Sequence, residues 1–289
     1  MILAPLRGVT IRPFRETFAD EIRGAGFTEA VTPFISAISG FDPLQDRELR
    51  ERGTGNREQG LKVTPQFIGK DPVALRACLE KVKSAGYDTA DLNCGCPYPM
   101  VRNKGRGSGI LRTPDILRRM LEVGCDVMGP GKFSIKARLG VDRNGELLGL
   151  MPMINEFPLR FLTVHARTAR QMYGGIIDDG GLGKVAAVSK VPVVRNGDVE
   201  FPLSEKRSGD RFPVMIGRSF VRWLGTREDS GELLSRYIAA SQSELCGDRP
   251  VLGRMKELIA YWKELPRWRR RWDIIKLCRS VDELKSCLI

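Results

Sequence analysis

The chain has 289 residues and a formal net charge of +12, with 47 Lys and Arg against 35 Asp and Glu. Its content of 42% hydrophobic and 28% charged residues is typical of a folded globular protein and argues against a disordered one. No apolar run approaches the ~18 residues that span a bilayer, and the N-terminus lacks the basic and apolar segments of a signal peptide. Seven irregularly spaced Cys disfavour a disulfide framework, and a single His disfavours a multi-His metal site. We therefore expect a cytoplasmic protein with no metal and no membrane partner.

Half of the net positive charge lies near the C-terminus. Residues 249–289 contain eleven Lys and Arg against five acidic residues. A positive field of this kind attracts polyanions such as nucleic acids. Trp262, Trp268 and Trp272 lie among these charges, and we interpret them as core residues of a helical bundle rather than as platforms for base stacking.

Eight short β-branched or apolar runs alternate with stretches of helical spacing. Asp71-Pro72 and Thr113-Pro114 each place a capping residue before a proline, which predicts helices over 73–85 and 115–127. Eight alternating units predict an α/β fold with a parallel sheet closed into a (β/α)8 TIM barrel. A doubly wound open sheet is the competing architecture. The predicted strands cover residues 2–6, 29–35, 64–69, 89–96, 133–140, 161–168, 191–199 and 213–219.

The predicted organisation is a barrel over residues 1–225 followed by a small all-helical domain over 228–289. Four helices are predicted in this domain, over 230–244, 251–264, 268–279 and 281–288, with breaks at Pro250 and Pro266. Two crossovers of the barrel look abbreviated. Residues 141–158 are a poor helix by propensity because they contain two Gly and two Pro, and residues 200–211 are short.

Polar side chains follow the ends of the predicted strands, where barrel enzymes have their active sites. Loops after the seventh and eighth strands commonly bind phosphate, so Asn196-Gly197-Asp198 beside Gly217-Arg218 suit a phosphate site. Each residue alone would be an ordinary turn or surface residue, but seven of the eight strand ends follow the pattern. The other candidates at these ends are Pro5, Leu6, Arg7, Gln66, Asn93, Cys96, Lys136, Arg138, His165 and Arg167.

The Cys94-Gly95-Cys96 segment is a candidate for chemistry. A zinc site would need a second ligand pair, and a redox disulfide normally has two intervening residues. A buried structural Cys is the usual alternative. Cys96, however, opens a long loop that contains Arg102, Lys104 and Arg106. A thiol under a basic, Gly-rich loop is a candidate proton donor or nucleophile.

At these residues the sequence resembles the flavin-dependent tRNA-dihydrouridine synthases. The most specific match is Asp91-Leu92-Asn93-Cys94-Gly95-Cys96-Pro97. With the tail that begins at Gly253-Arg254-Met255-Lys256, this motif is most similar to the bacterial C-type branch, which is associated with uridine 16 of the D-loop. The other matching elements, in family order, are Ala4-Pro5-x-x-Gly8-Val9-Thr10, Gln66-x-x-Gly69, Lys136-x-Arg138-Leu139-Gly140, Val164-His165-x-Arg167-Thr168, Asn196-Gly197-Asp198 and Met215-Ile216-Gly217-Arg218.

The resemblance implies an FMN cofactor over the barrel mouth, reduced by NADPH. Gln66 and Lys136 would face the isoalloxazine, and the flavin would deliver hydride to C6 of uracil while Cys96 gives a proton to C5. Such a Cys should not be strongly acidified. The remaining expected cofactor contacts are Pro5, Leu6, Arg7, His165, Asn196, Gly197, Asp198, Gly217 and Arg218.

The resemblance also implies a tRNA substrate whose target uridine leaves the stack to enter the barrel. Recognition would then rest on tRNA shape and phosphates, and we expect a monomer. Asn93 and Arg138 are expected to contact the flipped base or the flavin. The expected tRNA contacts are Arg102, Lys104, Arg106, Arg167, Arg254, Lys256, Arg269, Arg270 and Arg271.

Two other functions remain open at this point. One is a flavin barrel that reduces a small pyrimidine-like molecule, although this gives no reason for a separate basic tail. The other is a non-catalytic RNA-binding relative that keeps the scaffold. The sequence departs from the family at Arg7, where a small or acidic residue is usual and where a positive charge would lie close to the flavin.

Overall fold

A computed structural model of the chain describes residues 1–49, 57–58, 60–203 and 212–288. One continuous sheet forms its centre. The strands are β1 (Ile2–Leu3), β2 (Glu29–Val31), β3 (Ile35–Ser36), β4 (Arg57–Glu58), β5 (Leu61–Thr64), β6 (Gln66–Ile68), β7 (Ala90–Cys94), β8 (Phe133–Gly140), β9 (Leu162–Thr168), β10 (Val193–Asn196) and β11 (Val214–Ile216).

The parallel strands close into an eight-membered barrel, which confirms the predicted fold. Strand β11 pairs with β1, β1 with β2, and β2 with β5, while β6 pairs with β7 and the order continues through β8, β9 and β10 to β11. Only Pro65 separates β5 from β6, because a proline has no N–H for the ladder. The carbonyl oxygen of Pro65 accepts a hydrogen bond from the Asp91 backbone N–H at 2.9 Å, so the two halves act as one barrel strand. Strand β4 pairs antiparallel with β5 as an addition to the barrel.

Helices follow the strands on the outside. They are α1 (Arg12–Thr17), α2 (Ala19–Gly24), α3 (Pro72–Ser84), α4 (Pro99–Arg102), α5 (Pro114–Met128), α6 (Glu146–Ile154), α7 (Asp179–Val188) and α8 (Arg218–Leu224), with 3-10 turns at Pro43–Gln45 and Gly107–Arg112. The Asp71 side chain caps α3 as predicted, accepting from the backbone N–H of Val73 and Ala74. Thr113 does not cap α5; its hydroxyl donates instead to the carbonyl of Ile110.

The crossover over 141–158 contains a helix, contrary to the expectation from propensity. The Glu146 carboxylate accepts hydrogen bonds from the backbone N–H groups of residues 141–143 and so fixes the start of α6. Leu147, Met151 and Ile154 are fully buried along one face of it. Burial of that face outweighs the poor intrinsic propensity, even with Pro152 inside the helix. Most of the other short crossover, 200–211, lies outside the described residues.

Four more helices end the chain: α9 (Ser230–Glu244), α10 (Asp248–Ile259), α11 (Pro266–Ile275) and α12 (Val281–Ser286). Pro250 lies in the first turn of α10 and Pro266 is the first residue of α11, positions that need no N–H donor. The division of the chain at residues 225–228 stays a prediction.

These helices share a hydrophobic cluster with β1, α1 and α8. Trp262 and Trp268 are fully buried in it, and their indole N–H groups donate to the backbone carbonyls of Val221 and Gly225 at 2.6 and 3.0 Å. Both are core residues, as interpreted from the sequence, and Trp272 packs against the same cluster with partial burial. The C-terminal helices are therefore packed against β1, α1 and α8 of the barrel.

No helix in the described part of the chain is long and apolar enough to cross a membrane.

Candidate active site at the barrel mouth

A cavity of about 420 Å³ opens at the carboxyl ends of the barrel strands. This end is where the topology of a barrel gathers residues that are distant in sequence. All of the cofactor contacts expected from the sequence line it, together with Asn93, Cys96 and Arg138. Those cofactor contacts are Pro5, Leu6, Arg7, Gln66, Lys136, His165, Asn196, Gly197, Asp198, Gly217 and Arg218.

Buried polar side chains form a hydrogen-bonded chain across the floor of the cavity. Ser134 Oγ donates to Asp91 Oδ1 at 2.6 Å, and Gln66 Nε2 donates to Asp91 Oδ2 at 2.8 Å. Asn93 Nδ2 then donates to Gln66 Oε1 at 2.8 Å. Burial raises the pKa of Asp91 to about 6 despite these donors. These hydrogen bonds fix the orientation of the Gln66 and Asn93 side chains, because the amide nitrogen of each donates to one of the acceptors named above.

The Asn93 amide also holds the backbone that carries the candidate thiol. Its Oδ1 accepts from the backbone N–H groups of Gly95 and Cys96 at 3.1 and 2.8 Å. The Cys96 carbonyl in turn accepts from the backbone N–H and the hydroxyl of Ser108. Gly107 has a φ of +57°, and a Cβ there would lie 2.7 Å from the Cβ of Cys96. A glycine is therefore required for the loop to close over this residue.

Cys96 faces the cavity as a protonated thiol. Its side chain is largely buried, and burial raises the pKa of the thiol above its ordinary value, although Arg138, Arg7 and Lys136 act in the opposite direction. This is the property expected of a proton donor rather than of a nucleophile, which would need a lowered pKa. Cys94, two residues earlier, is fully buried and does not line the cavity.

Lys136 presents a cation to the same cavity. Burial, together with the charge of Arg138, lowers the pKa of its ammonium to about 8. Among the described residues it makes no hydrogen bond and no ion pair, and Asp91 and Cys96 are the groups that favour its charged form. An unpartnered ammonium at a cavity wall suits a ligand that carries or develops negative charge nearby.

A second polar group lies at the ends of β9 and β10. The guanidinium of Arg167 donates to His165 Nε2 at 3.2 Å, so that ring nitrogen accepts and the imidazole is neutral with its proton on Nδ1. Burial and the surrounding cations lower the pKa of His165 well below its usual range. Gly197 has a φ of +102°, and a Cβ there would lie 2.4 Å from His165 Cδ2. Only glycine lets this turn approach the imidazole so closely.

Asp198 is neutralised by two arginines. Arg167 donates to one of its carboxylate oxygens and Arg218 to the other. Burial raises the pKa of Asp198, but these two arginines outweigh it and the net shift is downward. Arg218 is thereby held at the cavity wall beside Gly197 and Gly217. The residues predicted to bind phosphate thus lie together in one place.

Arg138 connects two loops above the cavity. Its Nε donates to the Gly95 carbonyl at 2.9 Å, and one terminal nitrogen donates to the carbonyls of Thr168 and Met172 at 2.8 and 2.6 Å. The guanidinium carbon lies 5.4 Å from the ring centroid of Tyr173. Arg138 therefore locks the loop after β7 to the loop after β9.

Three aromatic residues of the cavity are not predicted by the sequence pattern: Phe34, Tyr98 and Tyr173. The Tyr173 ring lies between Arg138 and Arg218, with 5.4 Å from its centroid to each guanidinium carbon. Tyr98 and Tyr173 lie in loops after β7 and β9 whose course the sequence pattern does not specify, and Phe34 lies in the break between β2 and β3, inside a predicted strand. The only signal of Tyr98 and Tyr173 is an aromatic side chain shortly after a strand end.

The residues expected to contact tRNA are not gathered in one place. Arg167 is buried and pairs within the protein, as described above. Arg254 pairs with Glu244 at 3.3 Å, and Lys256 donates to the carbonyls of Lys276 and Cys278. Lys104 and Arg106 line a second concavity beside the main one, whereas Arg102 lines neither.

The three consecutive arginines of α11 differ in their surroundings. Arg269 and Arg270 are exposed, although Arg269 lies 3.8 Å from a Glu264 carboxylate oxygen. Arg271 is half-buried: it donates to the Leu288 carbonyl, and its guanidinium carbon lies 5.9 Å from the Trp268 ring centroid. Two of the three are therefore exposed to solvent, although Arg269 also donates to the Glu264 carbonyl at 3.2 Å.

Comparison with known proteins identifies the family to which the chain belongs. The family model described as dihydrouridine synthase (Dus) matches residues 2–222. A tRNA-dihydrouridine synthase B of Vibrio cholerae is 31% identical over 206 residues, which are 70% of this chain and 61% of that relative. One of Proteus vulgaris is 29% identical over 246 residues, 81% of this chain and 73% of the relative. The match thus spans less than two thirds of the Vibrio protein.

The fold also resembles that of solved structures. The crystal structure of TcOYE with pHBA has a TM-score of 0.56 at 13% identity and covers 92% of this chain and 95% of its own. At this identity the likeness concerns the barrel fold alone. Both curated relatives are named as type B, and the C-type branch suggested by the motif and the tail stays a prediction. The match to the family model extends over the whole barrel and includes every strand end that builds the cavity, and the chain belongs to the dihydrouridine synthase family.

Proposed function

We propose that this protein is a tRNA-dihydrouridine synthase that reduces the C5=C6 bond of a D-loop uridine, uridine 16, with FMN as cofactor and NADPH as reductant. The observation that carries the proposal is one cavity that joins an unpartnered cation, Lys136, to a protonated thiol, Cys96. The balanced reaction takes uridine, NADPH and a proton to dihydrouridine and NADP⁺. Its chemistry therefore needs one site for negative charge and one source of a proton.

The residues present suit a flavin. The volume of about 420 Å³ is in the range of cofactor and ligand cavities. Lys136 would lie against the part of the ring system that becomes anionic on reduction, and Gln66 would offer an amide held by Asp91. Asn196, Gly197, Gly217 and Arg218 would hold the phosphate, because they combine close backbone approach with a cation. When bound, the flavin supplies a hydride to C6 of uracil.

Cys96 supplies the other hydrogen. A thiol with a raised pKa keeps its proton at neutral pH and can donate it to C5 as negative charge develops on the base. Asn93 fixes the backbone of Cys96, and Arg138 fixes the loop that carries it. These two residues thus act on the orientation of the thiol, and they border the space that a flipped uracil would enter.

The C-terminal helices supply the tRNA surface. Arg269 and Arg270 project from α11 with exposed guanidinium groups, and the helix is held to the barrel by Trp268. Contacts of this kind bind phosphates and position the substrate without reading its sequence. The choice of uridine 16 rests on the resemblance of the Asn93–Pro97 motif and of the tail to the C-type branch.

Mass spectrometry of nucleosides tests the proposal. tRNA that lacks dihydrouridine is incubated with the flavin-loaded protein and NADPH, and free uridine is the parallel substrate. We expect a gain of two hydrogens on one uridine of tRNA, and digestion maps it to position 16. Product from free uridine alone would favour a small-molecule reductase. A protein that retains no flavin and yields no product would favour a non-catalytic RNA-binding function.

A further inference from the structure

A second concavity, of about 240 Å³, adjoins the barrel-mouth cavity. The two share Arg7 and Phe34, so one layer of side chains separates them. The function proposed above gives this concavity no occupant. Its remaining lining residues are Ser36, Ile68, Met100, Val101, Lys104 and Arg106.

Three cations and no carboxylate line this second concavity. Arg7, Lys104 and Arg106 make no side-chain hydrogen bond and no ion pair with the part of the chain that the structure describes. The Nε of Arg106 is buried and has no hydrogen-bond partner there. A buried donor without an acceptor is costly. An anionic ligand with several oxygens would satisfy all three cations at once.

The apolar part of the lining limits what that ligand can be. Ile68 is buried and Phe34 half-buried, and the Arg7 guanidinium carbon lies 5.5 Å from the Phe34 ring centroid. The cations therefore surround a recess with an apolar wall. Arg106 is half-buried there, unlike Arg269 and Arg270 on the exposed face of α11, whereas Arg7 and Lys104 are exposed and line the same recess.

We infer that the second concavity binds the diphosphate of the dinucleotide reductant, with Lys104 and Arg106 as its main contacts. This inference rests on the proposed function, in which the nicotinamide ring enters the barrel-mouth cavity. In a nicotinamide dinucleotide a single ribose separates that ring from the diphosphate. A ligand whose ring lies in the first cavity therefore places its diphosphate in the neighbouring space, across Arg7 and Phe34. Lys104 and Arg106 are thereby assigned to the reductant and not to tRNA.

Titration calorimetry with NADP⁺ tests the inference, because binding of the oxidised dinucleotide is read without turnover. The flavin-loaded protein is compared with Lys104→Gln and Arg106→Gln. The matched control is Lys132→Gln, an exposed lysine just before β8, at the opposite end of the barrel. We expect the Kd for NADP⁺ to rise about tenfold in each of the two variants, the usual worth of one charge-assisted hydrogen bond, and to stay unchanged in the control. The Kd for tRNA should change less than that for NADP⁺.

Three results would overturn the inference, the first two read from NADP⁺ binding and the third from tRNA binding. The first is an unchanged Kd for NADP⁺ in both variants, and the second is no NADP⁺ binding by a wild-type protein that makes dihydrouridine. The third is a larger loss of tRNA affinity than of NADP⁺ affinity, which would identify the occupant as a tRNA phosphate. Failure of the proposed function is a separate outcome, because it appears as a wild-type protein that forms no dihydrouridine with any reductant.

Discussion

The side-chain oxygen of Asn93 accepts the backbone N–H of Cys96 at 2.8 Å, three residues further along the chain. One amide thus fixes the turn that presents the thiol, while its nitrogen donates to Gln66 on the cavity floor. The residues proposed to face the cofactor and the proposed proton donor are therefore joined through a single side chain.

Asn93→Ala should uncouple the thiol from the floor of the cavity. The substitution leaves the backbone N–H of Cys96 and the Gln66 carbonyl oxygen without their partner, at a cost of about 1–3 kcal/mol in the free energy of unfolding. We expect the rate of dihydrouridine formation to fall much further than the rate of NADPH oxidation. Urea unfolding and single-turnover product analysis measure the two effects.

Asn155→Ala is the matched control for this variant. Asn155 likewise uses both atoms of its amide, donating to the Val188 carbonyl and accepting from the Lys190 backbone N–H, but outside the barrel. It should lower stability and leave the ratio of the two rates unchanged. If both substitutions change that ratio equally, Asn93 contributes to stability alone and does not position the thiol.

Cys96→Ala should separate the two half-reactions. The thiol touches none of the groups expected to hold the flavin by hydrogen bonds, so bound flavin and NADPH oxidation should persist. Dihydrouridine formation should fall ~10²–10⁴-fold, the usual worth of a positioned general acid. Cys125→Ala, a half-buried cysteine of α5 away from the cavity, is the control. Unchanged product yield from Cys96→Ala would remove the proton-donor role.

Lys136 should make stability depend on pH in the alkaline range. Its pKa is lowered by burial and by Arg138 to about 8, against 10.5 in the unfolded chain. Between these values the unfolded chain binds a proton that the folded protein does not, so this residue makes the free energy of unfolding rise with pH. Lys136→Met should remove that rise. Urea unfolding of the flavin-free wild type and variant, just below pH 8 and near pH 10.5, measures the free energy of unfolding of each protein. If wild type and variant differ in this free energy by the same amount at both pH values, the lowered pKa of Lys136 is contradicted.

The barrel and its site were largely predictable because both depend on strand ends. Periodicity located the eight strands, and closure of the ring brought Gln66, Cys96, Lys136 and Asn196 together without any knowledge of loop conformation. Tyr173 was not predictable in this way. Its position between two guanidinium groups depends on the course of a loop after β9.

Helix α6 shows a second limit of the sequence pattern. Local propensity argued against it, but three fully buried side chains and the Glu146 carboxylate at its start stabilise it in the tertiary structure. Charge was also misleading for single residues. Arg254 and Lys256 belong to the basic tail, yet their side chains bind Glu244 and two backbone carbonyls. Whether a cation is free for a ligand depends on neighbours that come from other elements.

The exposed arginines of α11 should set part of the salt dependence of tRNA binding. Arg269→Gln together with Arg270→Gln removes two cations that stand on the surface, so affinity should fall and the plot of log K against log salt should flatten by about 0.7–0.9 for each phosphate that the protein no longer neutralises. Arg271→Gln should instead lower stability, because that side chain contacts the Leu288 carbonyl and the Trp268 ring. Arg118→Gln, on the outer side of α5 and paired with Glu156, serves as the charge control. Filter binding across a salt series measures the slopes. A double variant with the wild-type slope would show that Arg269 and Arg270 do not contact tRNA phosphates.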